Sequence, residues 1–257
     1  MNFFSHSCFL AARHLRALMR QPWYIAFTLV QPVIWLLLYG QLFRRVVELP
    51  GFHGASYITF LTPGVVVMTA LFSGGWHGMS IIVEIDGGVM DRFLVSPVNR
   101  GALIGGRLLW LAVVCVIQSL LLAGLGYILG ARFDGGVTGI LILLMSAVLL
   151  AVGVGALSNA MALAVRKQES VIGAANFILL PLTFLSPVYM AEGLMPDWIR
   201  AVTKFNPVDW SVDAAREALK SHADWRLILS RFGFLLLFAL LSGWIATKSF
   251  RAYQQSA

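Results

Sequence analysis

The sequence predicts an all-α polytopic membrane protein that crosses the bilayer six times. Six apolar stretches are separated by short polar segments. A helix rises about 1.5 Å per residue, so about 20 apolar residues cover a hydrocarbon core of roughly 30 Å. The composition agrees, since 59% of the 257 residues are hydrophobic, only 12% are charged and the mean hydropathy is +0.81. The predicted spans are residues 23–43, 58–83, 108–130, 137–165, 171–190 and 227–247.

We expect a single transmembrane domain over residues 1–257. Backbone amides inside lipid must form hydrogen bonds within their own segment, so spans of this length are helices. Residues 1–22 precede the first span, residues 23–247 contain the six spans, and residues 248–257 form a cytoplasmic tail. This organisation leaves no room for a soluble catalytic domain.

An amphipathic interface helix is predicted ahead of the first span, over residues 3–20. Apolar side chains such as Phe4 and Leu15 fall on one side of this helix, opposite a basic face. Such a helix lies in the membrane interface with its apolar side toward the lipid. The alternative is a helix that packs on a soluble partner. The arginines of the basic face are Arg13, Arg16 and Arg20.

The basic residues predict that both termini lie in the cytoplasm, with the chain in the cell (inner) membrane. Lys and Arg accumulate in cytoplasmic loops. Ten of the 19 Lys and Arg residues lie in the two termini and in the links after the second and fourth spans. Three lie in the two short links after the first and third spans. The remaining six are in the long stretch 191–231. No dense basic run is present, so the net charge of +7 indicates topology and not nucleic-acid binding.

The longest link, residues 191–226, is predicted to hold two short interfacial or re-entrant helices. Apolar residues from Met195 to Phe205 recur at helical spacing, with charged residues between them. Asn206-Pro207 ends this helix, and a second one follows through Trp210 to Leu219. Both are too short and too charged to span, so we expect them in the outer interface or partway into the membrane.

The sequence lacks the residues that a nucleotide-hydrolysing enzyme needs. A P-loop requires a Gly-Lys pair, and none of the four lysines follows a glycine. There is no His-Glu-x-x-His pair for zinc, and the five histidines are scattered. We therefore expect a transport subunit that is not an enzyme and holds no cofactor or metal of its own.

The predicted spans carry few polar side chains, and no Asp, Glu, Lys or Arg in their central turns. Carriers that couple to protons or sodium usually need such charges, so a self-powered transporter is disfavoured. His77 is open to two interpretations, a group that contacts substrate or relays protons, or a structural histidine. The amides are candidates for the pathway or for interhelical hydrogen bonds. These candidates are Gln31, His77, Gln118, Asn159 and Asn176.

The cytoplasmic link of residues 84–107 is the expected place to receive force from another subunit. It mixes acidic, basic and apolar residues over about 24 positions. Residues 89–95 should form a short helix that stops at Ser96-Pro97 and offers Met90, Phe93 and Leu94 to a groove on a partner. The alternative is an ordinary charged loop.

Two ordered sets of residues carry a resemblance to a known family. With six spans and this length, they resemble the type-2 ATP-binding-cassette (ABC) exporter permeases, and most closely the daunorubicin-resistance type. The likeness extends over essentially the whole chain and departs at Pro187, where members usually have a small residue or glycine. The first set is Glu84, Gly88, Asp91-Arg92-Phe93, Pro97, Arg100 and Arg107. The second is Phe184-Leu185-Ser186-Pro187, Met195-Pro196-Asp197-Trp198, Asn206-Pro207 and Arg216.

The resemblance implies that two permease copies, or one copy and a paralogue, form the path. It also implies a cytoplasmic ABC ATPase dimer that binds ATP and Mg and drives transport. The helix from Asp91 to Pro97 would couple to the ATPase, the interface helix would also contact it, and the segment after Tyr189 would form external re-entrant helices. The implied coupling residues are Glu84, Asp91, Arg92, Phe93, Leu94, Pro97 and Arg100.

The expected function is therefore export, driven from outside the chain. The apolar spans favour a hydrophobic or amphipathic substrate such as a drug, a lipid or a lipid-linked glycan. One alternative is a permease for polysaccharide or lipid-linked polymer, and another is a membrane scaffold without transport. An intramembrane enzyme is disfavoured, because no carboxylate pair, Ser/His pair or metal cluster lies within the predicted spans.

Overall fold

A computed structural model describes residues 22–48, 56–88 and 100–256. Within these ranges the chain forms helices, turns and irregular connections and no strand, which confirms the all-α prediction for this part of the chain. The predicted interface helix with Arg13, Arg16 and Arg20 lies outside the described residues, as does the predicted coupling helix from Asp91 to Pro97.

Nine α-helices follow one another in the described ranges. The first four are α1 (Pro22–Leu42), α2 (Tyr57–Gly75), α3 (Met79–Asp86) and α4 (Arg100–Ile128). The others are α5 (Gly136–Val165), α6 (Gln168–Phe184), α7 (Asp197–Thr203), α8 (Pro207–Ala218) and α9 (Trp225–Ser256). Short 3-10 helices occupy Arg44–Glu48 and Glu192–Leu194.

Four helical stretches of the described chain have the length and apolar character needed to cross a membrane. They match the second, third, fourth and sixth predicted spans. Many of the exposed Leu and Ile residues of the described chain lie on these stretches. These stretches are Tyr57–Asp86, Leu103–Ile128, Gly136–Val165 and Trp225–Tyr253.

The other two predicted spans, the first and the fifth, correspond to α1 and α6. α1 has 21 residues and α6 has 17. A helix of 17 residues rises about 25 Å, which is less than the hydrocarbon thickness. α6 ends at Phe184 and not at residue 190 because Pro187 has no backbone N–H and disfavours a helical conformation at the residue before it.

The second predicted span is one stretch in the sequence but two helices in the structure. α2 runs on through Pro63, where proline favours a kink, and the chain leaves the helix at Trp76–Gly78 before α3 begins. Three glycines lie within five residues here, at Gly74, Gly75 and Gly78. Glycine has the lowest helix propensity after proline, so the helix is weakest at this place.

α5 is the central helix of the described fold. It packs against α2, α3, α4, α6, α8 and α9. Small residues permit this, since a Cβ added to Gly74 of α2 would lie 2.7 Å from the Ala151 carbonyl oxygen of α5. A Cβ on Gly78 would collide with the Ser158 carbonyl. Helices in lipid associate through such close van der Waals packing, because the lipid is as apolar as the side chains.

Two short helices, α7 and α8, occupy the long link between α6 and α9. Asn206 is the N-cap of α8, and its side-chain oxygen accepts a hydrogen bond from the Val208 N–H at 2.9 Å. Its amide nitrogen donates to the carbonyls of Leu182 and Leu185 at 2.8 and 2.7 Å. One side chain thus begins α8 and fixes it to the end of α6.

Candidate functional site

A cavity of about 340 Å³ lies between α1, the α2–α3 segment and α4. This volume is at the lower end of the range of about 300–1,000 Å³ typical of ligand pockets. Its aromatic lining is Phe27, Trp35, Phe72, Trp76 and Trp110. Its polar lining is Thr28, Gln31, Thr69, Ser73, His77, Ser80 and Gln118. Among the described residues that line it there is no Asp, Glu, Lys or Arg.

Three of the five polar candidates predicted from the sequence meet in this cavity. Gln31 of α1, His77 between α2 and α3, and Gln118 of α4 share its lining. Asn159 is buried on α5 and Asn176 is partly buried on α6, and neither lines this cavity. The sequence could nominate all five, but only the packing of α1, α2 and α4 brings three of them together.

Gln118 joins three helices by hydrogen bonds at the wall of the cavity. Its side chain is 2% exposed. The Ser73 hydroxyl of α2 donates to Gln118 Oε1 at 2.9 Å, and Gln118 Nε2 donates to Thr28 Oγ1 of α1 at 3.1 Å. Interhelical bonds of this kind contribute about 0.6–2 kcal/mol each. The network is neutral throughout, so it orders the wall of the cavity without placing a charge there.

Ser158 of α5 holds the interruption between α2 and α3. Its hydroxyl donates to the Gly75 carbonyl at 2.6 Å and accepts from the Gly78 N–H at 2.9 Å. Backbone groups at a helix end lack intrahelical partners, and burial makes such groups costly unless they are bonded. This role of Ser158 could not be predicted from the sequence, because a serine in an apolar helix gives no sign of the backbone that faces it.

The interruption also shapes the cavity wall. Trp76 and His77, two of the three residues between α2 and α3, line the cavity. The His77 ring packs against that of Trp110 on α4, with the ring centroids 5.5 Å apart. A movement of α3 relative to α2 would therefore change the cavity directly.

Arg107 of α4 connects the cavity to Glu84. Its guanidinium donates to the hydroxyl of Ser80, a lining residue, at 3.0 Å and forms an ion pair with Glu84 of α3. Both side chains are largely buried, with 6% of Arg107 and 16% of Glu84 exposed. Glu84 is a predicted coupling residue, while its arginine partner was assigned no role. The signal was present, since opposite charges stand at the two ends of the link 84–107.

The remaining coupling residues stay predictions. Arg100 is the first residue of α4. The others lie between α3 and α4, outside the described residues, and they are Asp91, Arg92, Phe93, Leu94 and Pro97.

A second polar region lies around Arg216 of α8. Its guanidinium donates to three carbonyls, those of Phe60 at 3.2 Å, Pro187 at 2.7 Å and Val188 at 3.0 Å. It also lies over the Phe60 ring, 3.5 Å from the centroid. The sequence places Arg216 in the family pattern, and the structure shows that it ties α8 to α2 and to the turn after α6.

Carboxylates accompany this arginine. Asp209 is 1% exposed on α8, and burial raises its pKa above the usual carboxyl range, with the nearby Asp213 adding to the shift. Arg231 of α9 donates to Asp213 at 2.8 Å and lies 3.9 Å from Asp209. Oxygens of Glu192, Asp209 and Asp213 lie within 4.8 Å of one another, which resembles a cation site. Arg231 already supplies the positive charge for two of these three carboxylates.

Comparisons with known proteins agree with the membrane fold. A family model described as ABC-2 type transporter matches residues 6–220. The chain is 28% identical over 196 residues to "Daunorubicin resistance ABC transporter permease protein DrrB1" of Streptomyces coeruleorubidus, covering 76% of this chain and 68% of that protein. It is 26% identical over 232 residues to "Putative transport permease ycf38" of Cyanophora paradoxa (90% and 79%). It is 25% identical over 226 residues to "Inner membrane transport permease YadH" of Escherichia coli strain K12 (82% of each).

Proposed function

Because this chain belongs to the ABC-2 type transporter family, we propose that it is the membrane permease subunit of an ABC exporter. It moves a hydrophobic or amphipathic substrate, such as a drug, a lipid or a lipid-linked glycan, out of the cytoplasm. A separate ATPase dimer binds ATP and Mg and supplies the energy. The observation that carries the proposal is the cavity between α1, α2 and α4, whose described lining carries no fixed charge and connects through Ser80 to the Glu84–Arg107 ion pair.

The proposed subunit is one transmembrane domain with six spans in the inner membrane and both termini in the cytoplasm. α1 and α6 are then the first and fifth spans, and α7 and α8 lie in the outer interface or re-enter the membrane. Two permease copies, or one copy and a paralogue, form the path. Four helices of spanning length and the family match over most of the chain support this arrangement.

Coupling to the ATPase runs through the segment between α3 and α4. The helix from Asp91 to Pro97 docks on the ATPase, and the interface helix with Arg13, Arg16 and Arg20 also contacts the ATPase. Force on this segment reaches α3 directly, because Glu84 lies near the end of α3. The Glu84–Arg107 pair ties α3 to α4, so both helices that bound the cavity move with the coupling segment. Rigid-body movement of packed helices is a common way to convert such a force into opening and closing of a transport path.

The test is ATP-driven export by the permease and its ATPase in proteoliposomes, with variants Arg92→Ala and Phe93→Ala. We expect each to lower export and export-stimulated ATP hydrolysis at least tenfold while the chain still inserts. Matched controls are Arg132→Ala and Phe184→Ala, since both residues are exposed and lie outside the coupling segment. Normal export by the two coupling variants contradicts the coupling assignment. Uphill export or ATP hydrolysis by the permease alone contradicts the requirement for a separate ATPase.

A further inference from the structure

We propose that the cavity between α1, α2 and α4 binds one uncharged aromatic amphiphile that carries hydrogen-bonding groups. The proposal rests on the proposed function and names the substrate class of that same path. It assigns a site within a single permease copy, on the side of α2 that faces α1 and α4.

The described lining gives an ionic ligand no partner of opposite charge. None of the described lining residues carries a fixed charge, and the nearby Arg107 and Glu84 neutralise each other beyond Ser80. An ion that leaves water for these surroundings loses its hydration without gaining such a partner. The Trp and Phe rings attract cations, but such a contact contributes only about 0.5–2 kcal/mol, so the lining favours a neutral ligand.

The rings of the lining favour an aromatic ligand. Five aromatic side chains from three helices meet here. Trp35 is already held in a stack with Tyr39, with the centroids 4.7 Å apart, and Trp110 is held against His77. Rings fixed in this way offer preformed faces and edges, and aromatic pairs gain about 0.5–1.5 kcal/mol beyond the area that they bury.

The amides of the lining distinguish such a ligand from a plain hydrocarbon chain. A glutamine amide has two N–H donors and two acceptor lone pairs. Gln118 uses one donor on Thr28 and one lone pair on Ser73. A second donor and a second lone pair are therefore available for a ligand. Gln31, one turn along α1 from Thr28, adds another amide to the same cavity.

A second cavity provides a contrast within the same fold. It has a volume of about 260 Å³ and lies on the other side of α2, lined by Val154, Leu179, Phe238 and other apolar residues. Its single hydroxyl belongs to Ser158 and is engaged with the α2–α3 backbone. That cavity suits hydrocarbon alone, whereas the first one combines rings with neutral polar groups.

Access to the first cavity is from the side. Phe27 is 74% exposed and Gln31 is exposed, so the cavity reaches the outer surface of the described helices between α1 and α4. A ligand dissolved in the lipid can enter there without first passing through water. Amphiphiles concentrate in the bilayer, which matches this route.

The test measures binding to the full chain in lipid nanodiscs without the ATPase, by quenching of tryptophan fluorescence relative to empty nanodiscs. Three tricyclic probes of similar size separate the features of the ligand. 2-Aminoanthraquinone is neutral and has donor and acceptor groups, anthracene is neutral without them, and 10-methylacridinium carries a fixed charge. We expect saturable binding of 2-aminoanthraquinone, and binding at least tenfold weaker for the other two. Equal binding of the three probes, or no saturable binding, overturns the proposal.

Variants then locate the site. Gln118→Leu should weaken 2-aminoanthraquinone binding about tenfold and leave anthracene binding unchanged, since about one hydrogen bond is lost. If Gln118→Leu does not fold, Gln31→Leu tests the same point, because it changes an exposed residue. The matched control is Asn159→Leu, which removes a buried amide outside the cavity and should leave binding as in the unaltered chain. Unchanged binding in the folded glutamine variants, or an equal loss in Asn159→Leu, overturns the assignment.

The failure of this inference and the failure of the proposed function are distinguishable. If the probes do not bind to the permease but ATP-driven export persists, only the cavity assignment is wrong. If the probes bind as expected but no ATP-driven export is found with any ATPase partner, the proposed function is wrong.

Discussion

The two polar regions of the molecule use opposite kinds of chemistry. The cavity region between α1, α2 and α4 is built from neutral groups, joined by the amide of Gln118. The α8 region is built from ionisable groups, with Arg216 and Arg231 beside Asp209 and Asp213. Neutral groups tolerate either an empty or a filled cavity, whereas buried charges must keep their partners at all times.

This difference indicates which region changes conformation and which region stays fixed. Arg216 binds three backbone carbonyls from two separate parts of the chain, so α8, α2 and the turn after α6 form one unit. The α2–α3 interruption is held by neutral hydroxyl groups, through two bonds of Ser158 and one from Ser80 to the His77 carbonyl, all of modest strength. We expect conformational change at the interruption and not at α8.

The largest expected effect is at Arg216. Arg216→Leu leaves three carbonyls without their donor and removes a positive charge beside Asp209 and Asp213, so we expect a loss of about 3–5 kcal/mol in stability. Arg216→Lys should not restore it, because an ammonium lacks the planar fork of donors. The measurement is the thermal unfolding midpoint in detergent. Arg226→Leu, at an exposed position, should change it little, and an equal effect at both positions would contradict a holding role for Arg216.

A smaller effect is expected at the ion pair beside the cavity. Arg107→Met leaves the Glu84 carboxylate buried without its partner, at a cost of about 3 kcal/mol. The double variant with Glu84→Gln should be more stable than the single variant, because no uncompensated charge remains. Resistance to unfolding by SDS measures both. A double variant that is stable but impaired in export would show that the pair serves movement and not stability. A double variant no more stable than Arg107→Met would show that the unpaired Glu84 carboxylate is not the cause of the stability loss.

The smallest effect is expected at the interruption. Gly78→Ala brings a Cβ into the Ser158 carbonyl, so α3 must shift, at a cost of about 1–3 kcal/mol. Gly124→Ala is the matched control, since an added Cβ there meets nothing within 4 Å and alanine favours the helix by about 0.5–1 kcal/mol. Export assays should show a loss for Gly78→Ala and none for Gly124→Ala. Full export by Gly78→Ala would place the moving part elsewhere.

The sequence predicted the family correctly, but it predicted only some of the residues that line the cavity. The ABC-2 resemblance, drawn from residues between Glu84 and Arg216, is confirmed by the family match. Gln31, His77 and Gln118 were nominated as polar groups in apolar helices, but the aromatic residues around them looked like ordinary membrane-facing side chains. Nothing in the order of residues says that Trp35, Trp76 and Trp110 line the same space, because these residues lie far apart in the chain.

The interruption of the second span shows why some features escape the sequence. Proline favours a kink at position 63, yet α2 continues through it and the interruption is at Trp76–Gly78. The glycines lower the helix propensity there, but a break buried in apolar surroundings also requires partners for the released backbone groups. Ser158, about 80 residues later in the chain, supplies them.

The amino-acid sequence by itself determined that the chain is helical and lies in a membrane, because about 20 apolar residues in a row fit no other environment. The sequence also determined the family, and it places no charged residue in the middle of the predicted spans. Only the tertiary structure decided which polar groups share a cavity, where the second span breaks and which charges neutralise each other. These depend on contacts between residues distant in the chain, such as those of Gln118 with Ser73 and Thr28, Ser158 with the α2–α3 backbone, and Arg107 with Glu84.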